Sequence, residues 1–222
     1  MKKEEYETIY NRKWDSDTSP VDRYSDETGE NTVGFPGIDM PVITIENPEI
    51  IQEYQFGFIP PWSKPELLNE VRNTFNARIE TIAELPTWRD AWNKGQRCLV
   101  CTNGFYEFDK KSKKRIFIHL KKEEHFFFGG IYGHYLNRTT GDIIRSMAVI
   151  TTTANDLVAT VHHRMPVIIR PGDESIWMDP ESDPQNLLLQ YGQPYSDAFM
   201  VMEQADMKLK PPNRKNNQGE LF

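Results

Sequence analysis

The sequence predicts an α+β fold: a single domain with a curled, largely antiparallel β-rich core and flanking helices. Three observations lead there. A length of 222 residues suits one globular domain, and 38% apolar with 12% aromatic content can bury a real core. From Met40 onward short β-type runs dominate, each bounded by Gly, Pro or charge clusters. Helical spacing is confined to the first residues and to brief stretches between those runs.

Taken in order, Tyr6, Ile9, Tyr10 and Trp14 recur at helical spacing, which predicts a helix over residues 2–14 with one apolar stripe. No Ser, Thr, Asp or Asn stands ahead of it as a cap. Residues 15–39 are rich in Asp, Gly, Ser, Thr and Pro and read as loop. The strands follow at Pro41–Ile45, Tyr54–Ile59, Arg97–Val100, Phe105–Phe108, Ile116–Leu120, Phe126–Tyr132 and Ser146–Thr152. Helices are expected at Pro65–Val71, at Thr87–Lys94 with Gly95 as C-terminal cap, and at Asp173–Met178. Lys110, Lys111, Lys113, Lys114 and Arg115 fall where two strands meet, and read as a solvated hairpin turn rather than a phosphate clamp.

Composition narrows the function. No apolar run approaches the ~20 residues of a membrane span, and the start, MKKEEYETIYN, has no apolar signal region. No membrane partner is expected. Two cysteines cannot staple a fold of this size, so a reducing cytoplasm is the expected compartment. The net charge of −7 is uneven: residues 1–53 hold 5 basic and 13 acidic residues, leaving 21 basic and 20 acidic in 54–222. A local basic groove remains compatible with that balance.

Three clusters combine polar groups with constrained backbone. Asn76-Ala77-Arg78-Ile79-Glu80-Thr81 joins an amide, a guanidinium and a carboxylate; Gly104-Phe105-Tyr106-Glu107 ends an aromatic strand in a carboxylate; His162-His163-Arg164-Met165-Pro166 sets imidazoles before an apolar strand. Arg is a natural phosphate fork, and Glu and His are the usual proton-transfer groups. Each has a plainer alternative. Glu80 reads as a structural salt-bridge or capping carboxylate, and one of His162 and His163 as a packed, hydrogen-bonded ring. His119, His125 and His134 carry no signal beyond surface or core filling. Cys98 and Cys101 form a C-x-x-C, but within a strand they point to opposite faces, which favours buried thiols over a zinc or dithiol site. A thiol protease pairing one of them with His162 stays open.

The order and spacing of these blocks resemble the SRAP family, the SOS-response-associated peptidase proteins that crosslink to abasic sites in single-stranded DNA. The resemblance runs from about Pro41 to Met178, on FGFIPPW at 56–62, FNARIETIAELPTWRDAW at 75–92, RCLVCTNGFYEF at 97–108, FFFGGIY at 126–132, and ITTTAN with HHRMPVII at 150–169. It implies one SRAP-like domain over 1–205. It also implies catalytic roles for Asn76, which orients the reacting centre, Glu107 as general acid/base, and His162 as proton shuttle. Arg78, Arg164 and His163 would contact DNA, and Trp62 and Phe58 would stack on or wedge beside bases. The implied partner is single-stranded DNA containing abasic sites, with no metal or organic cofactor and a monomeric state near the nucleoid. Where the family usually has proline, position 101 is cysteine.

The family's nucleophile is a cysteine directly after the initiator methionine. An α-amine, with pKa about 7.7–8.0, attacks the ring-opened sugar aldehyde, and the adjacent thiol closes a thiazolidine. This sequence opens Met1-Lys2-Lys3, without that cysteine or the family's first strand. The expectation is an upstream in-frame Met-Cys and roughly a strand of further residues. The alternative is a non-covalent single-stranded DNA-binding module that has lost its nucleophile.

Residues 206–222 are expected to form a disordered tail. Its end, Gln218-Gly219-Glu220-Leu221-Phe222, resembles the Gln-x-x-Leu-Phe peptide with which bacterial repair proteins bind the sliding clamp, so Gln218, Leu221 and Phe222 are candidate partner contacts.

Overall fold

The first helix, α1 (Lys3–Tyr10), is capped by the Glu5 side chain reaching back rather than by a Ser, Thr, Asp or Asn at its N-cap: the Lys2 N–H donates to the Glu5 carboxylate at 2.7 Å. Glu4 and Glu5 sit in the first turn, where the helix dipole favours negative charge. Asn11, left-handed at φ 48°, ends the helix short of the predicted Trp14. Tyr6 and Tyr10 are buried as the spacing implies, but Ile9 is exposed. The computed structural model describes residues 2–16, 24–25, 32–34, 36–64 and 74–205. The helix expected at Pro65–Val71 and the tail from residue 206 lie outside the described residues.

Fourteen strands are described: β1 (Lys13–Trp14), β2 (Tyr24–Ser25), β3 (Thr32–Val33), β4 (Asp39–Thr44), β5 (Asn47–Phe56), β6 (Asn76–Arg78), β7 (Arg97–Thr102), β8 (Phe105–Asp109), β9 (Lys114–Leu120), β10 (Phe126–Leu136), β11 (Ile143–Thr153), β12 (Arg164–Pro166), β13 (Ile168–Ile169) and β14 (Met200–Ala205). Between them stand α2 (Arg89–Asn93), α3 (Asp156–Ala159), α4 (Glu174–Met178) and α5 (Pro184–Tyr191). The predicted strand at Tyr54–Ile59 ends at Phe56, where Gly57 adopts φ +129° and turns the chain. The stretch read as loop contains the short β2–β3 pair.

Strands β5, β4, β7, β10 and β11 pair in turn, and β11 closes the ring by running parallel to β5 at Ser146↔Gln55 and Met147↔Phe56. The other four junctions of the ring are antiparallel, as expected of a curled sheet. Closure removes the exposed edges that an open sheet would carry. The two-residue alternation of each strand then fills two cores. Val42, Cys98, Val100, Met147 and Val149 enter one; Ile43, Leu99, Cys101, Ala148 and Ile150 enter the other, with Trp92 and Trp177 from the helices. Glycine is required at 130, where a Cβ would come within 2.8 Å of the Cys98 sulfur.

A second sheet, β14-β9-β8, leans its inner face on the first. Phe105, Ile116, Ile118, Leu120 and Met200 supply that face. The turn between β8 and β9 holds Lys110, Lys111 and Lys113 as predicted, and the Asp109 carboxylate organises it by accepting the Lys111 and Ser112 N–H groups.

Candidate active site

The three clusters meet because three different pairings bring them together. β6 adds to β11 in parallel, with Asn76 beside Val149. Ala77 is buried, so alternation turns Asn76 and Arg78 the other way, and both are exposed. β8 presents Glu107 on its core-facing side, opposite Ile116. The turn after α3 delivers His162 and enters β12, which pairs with the end of β11. Asn76, Glu107 and His162 all line one cavity of about 360 Å³, inside the range of small-molecule sites. Its apolar half comes from Met40, Phe56, Phe75, Phe105, Phe128 and Val149.

His162 is held at its Nδ1. That atom lies 3.4 Å from Glu107 Oε1, 3.0 Å from the Arg164 carbonyl oxygen and 3.3 Å from the Arg164 nitrogen. Protonated, Nδ1 donates to the carbonyl or the carboxylate; deprotonated, it accepts the Arg164 N–H. The ring therefore has a partner in either state, as a proton shuttle requires. Burial pushes the Glu107 carboxyl above its ordinary value, outweighing the opposing pull of His162 and of the Phe108 N–H. Both side chains remain part-exposed, open to the cavity.

Arg164 differs from its sequence reading. Its guanidinium forms a fork with Glu80, at 2.7 and 2.8 Å, and a third bond to the Thr151 carbonyl at 2.7 Å. The structural role read for Glu80 is thus the one it has. Of the Arg164 donors, Nε is buried without a hydrogen-bond partner among the described residues, and Arg164 lines the cavity. Arg78 is exposed and lowers the proton affinity of both Glu80 and His163. His163 is exposed beside His162, with ring centroids 4.6 Å apart, and its pKa is lowered first by that neighbour.

Phe58 requires correction. Read as a base-contacting ring, it is 1% exposed and packs against Trp88 at 5.5 Å, so no base reaches it. Trp62 is 60% exposed and available. Cys98 and Cys101 do face opposite cores, as strand alternation requires. Desolvation pushes the Cys98 thiol up, away from thiolate formation, and Cys101 borders the cavity at 3% exposure. Gln218, Leu221 and Phe222 lie outside the described residues.

The family model described as SOS response associated peptidase (SRAP) matches residues 3–210. The chain belongs to the SRAP family. The abasic site processing protein YoqW of Bacillus subtilis (strain 168) is 34% identical over 171 residues, covering 76% of this chain and 74% of YoqW. The chicken (Gallus gallus) abasic site processing protein HMCES is 28% identical over 153 residues, 59% of this chain and 45% of HMCES. A crystal structure of a Bacteroides thetaiotaomicron protein superposes with TM-score 0.70 at 29% identity, covering 76% of this chain and 74% of that one. A Bordetella bronchiseptica protein gives TM-score 0.75 at 23% identity, over 92% and 96% of the two chains, a likeness of fold.

This SRAP cavity also holds residues that sequence reasoning passed over. Tyr6, Tyr10, Asn103 and His125 line it. Tyr10 donates to the Thr102 carbonyl at 3.1 Å, and the buried His125 Nδ1 has no hydrogen-bond partner among the described residues. His125 therefore borders the site, whereas it was read as filler. Asn103 carried a signal, its place in the T-N-G turn ahead of Glu107; Tyr6, Tyr10 and His125 carried none. Among the described residues no group of three or more His, Cys, Asp or Glu could hold a metal ion.

Proposed function

We propose that this protein recognises abasic sites in single-stranded DNA, in the cytoplasm beside the chromosome. The observation that carries the reading is the convergence of Asn76, Glu107 and His162 on one cavity. YoqW and HMCES are named abasic site processing proteins, which supports it. The cavity suits a sugar without its base: polar on the side of the three residues and apolar on the side of Met40 and the phenylalanines. Trp62, which is exposed, supplies a ring for a flanking base, and Arg78 supplies an exposed guanidinium for phosphate.

The finer reading is covalent. A carboxyl raised by burial can hold a proton until it is needed, so Glu107 protonates the ring oxygen as the C1–O4 bond breaks, and the C1 hydroxyl gives its proton to His162 as the aldehyde forms. An N-terminal cysteine, in a form of the protein that bears one, attacks the aldehyde carbon with its amine and loses water to give an imine. Its thiol then adds to the same carbon, closing a thiazolidine and passing a proton to the amine nitrogen. His162, partnered in both protonation states, relays those protons, and Asn76 orients the sugar. The same groups serve removal of a leader methionine from that cysteine. Gln218-Gly219-Glu220-Leu221-Phe222 brings the protein to the replication fork through the sliding clamp.

The experiment mixes protein with a single-stranded oligonucleotide holding one abasic site and compares undamaged strand and duplex. The chain beginning Met1-Lys2-Lys3 should prefer the abasic strand and give no heat-stable shifted band. A version with Met-Cys and a leading strand should give the band. Equal binding of damaged and undamaged strands overturns the reading. Deleting residues 218–222 should abolish clamp pull-down, and unchanged pull-down removes the clamp.

A further inference from the structure

The outer side of the small sheet carries a ladder of rings that begins at the cavity rim, with Tyr106, and runs on beyond it. Tyr106 pairs with Phe117 across β8 and β9, and Phe108 with Arg115. The rings of Tyr106 and Phe117 lie 4.8 Å apart with 36° between planes, and Phe117 stacks on His119 at 5.2 Å and 23°. Alternation sends all of these away from Glu107 and Ile118, which face inward. None of Tyr106, Phe108, Phe117 or His119 belongs to either core cluster, and Phe108 is 48% exposed. Gly104 keeps the base of the ladder open to Phe117: a Cβ there, at φ +157°, would meet the Phe117 ring at 2.6 Å.

The charge on this side is mainly positive. The turn at the end of the sheet exposes Lys110, Lys111 and Lys113, and Arg115 follows within the face. Against them stands Glu203, opposite Phe117 and 3.7 Å from His119 Nε2; the Asp109 carboxylate is taken by its own turn. Rings interleaved with cations suit a polyanion whose units have flat faces, which describes single-stranded nucleic acid better than an acidic protein. The ladder is also continuous with the cavity, since Tyr106 and Arg115 are among its lining residues.

We propose that this face is a stacking track for the bases flanking the lesion, with the lysine turn following the phosphates. It rests on the single-stranded DNA reading above and extends it to a surface beyond the cavity. A strand whose damaged sugar enters beside Glu107 meets Tyr106 one residue away, and its next bases lie end-on against the ladder.

The test measures fluorescence anisotropy with single-stranded oligonucleotides bearing a tetrahydrofuran abasic analogue, one with long flanks and one trimmed to a single nucleotide on each side. Phe117→Ala and Phe108→Ala should each weaken long-flank binding by about 5- to 100-fold and leave short-flank binding unchanged. Because Phe117 is half-buried and its loss could loosen the sheet, exposed Phe108 is the cleaner variant. Photocrosslinking of the unaltered protein to iodouracil in the flank should label peptides within 105–119. Unchanged long-flank binding by both variants, or crosslinks confined elsewhere, overturns this surface alone. Failure of the unaltered protein to bind either oligonucleotide overturns the DNA reading and the surface with it.

Discussion

Two acid–base pairs flank the same short segment and behave oppositely. At one end Glu107 meets His162 at 3.4 Å; two residues on, Glu80 meets Arg164 at 2.7 and 2.8 Å. For Glu107 burial wins and the carboxyl is raised. For Glu80 burial also pushes upward, but the Arg164 hydrogen bonds and the charges of Arg164 and Arg78 outweigh it and hold the carboxyl below its ordinary value. The difference lies in the partner. A guanidinium keeps its charge at every working pH and fixes its carboxylate as an anion, while an imidazole gives and takes protons. The Glu80–Arg164 pair is a clamp, the Glu107–His162 pair a relay. They are also linked, because the Arg164 backbone that the clamp steadies is what holds His162 Nδ1.

The largest expected effect tests whether the relay is where the chemistry lies. In a version bearing an N-terminal cysteine, Glu107→Gln keeps the shape and removes the proton. Crosslink formation with an abasic strand should slow by about 10²- to 10⁴-fold, the usual contribution of general acid–base catalysis. Binding of a tetrahydrofuran analogue, which has no aldehyde, should change little. Equal rates for variant and parent would make the two pairs equivalent and remove the distinction.

Next comes the clamp. Glu80→Gln should cost about 1–2 kcal/mol in denaturant unfolding, at or below the low end of the range for charged hydrogen bonds, since the Glu80 side chain is 42% exposed and water screens the loss. Through Arg164 it should also slow the crosslink by about 10-fold, the effect of a displaced His162 rather than a missing proton donor. A rate loss as great as that of Glu107→Gln would place Glu80 in the chemistry itself.

Much of this contrast was legible in the sequence, and the rest failed for definite reasons. The opposite facing of Cys98 and Cys101 follows from strand alternation, a local property, and so do the Lys110–Lys113 turn and the Gly95 cap, at φ +67°. The convergence of Asn76, Glu107 and His162 came from resemblance, because it depends on β6 and β12 both pairing with β11. Phe58 was misread for the same reason. Its burial is fixed by Trp88 and by Gly133, whose missing side chain makes room: a Cβ there would lie 2.8 Å from the ring. Tyr6 and Tyr10 face the cavity only because α1 docks on the closed sheet. The α5 helix is absent from the elements expected from the sequence, although it carries a start signal: Asp183 caps it through the Gln185 and Asn186 N–H groups, with Pro184 in its first turn.

The smallest effect is also the sharpest, because the two pairs differ in sign. A raised Glu107 means that the folded protein binds this proton more tightly than the unfolded chain does, so folding loses stability as pH rises from the ordinary carboxylate range through the raised value. Glu107→Gln removes that loss, and its stability relative to the parent should increase as pH rises across this window. A lowered Glu80 means the reverse. Its contribution is present above the ordinary carboxylate range and vanishes as pH falls through the lowered value. The deficit of Glu80→Gln should therefore be full at neutral pH and shrink in acid. Denaturant midpoints of parent and both variants, measured from acid to neutral pH, should give difference curves of opposite slope. Parallel curves would mean that the two carboxyls have the same environment, and the relay would lose the electrostatic property that separates it from the clamp.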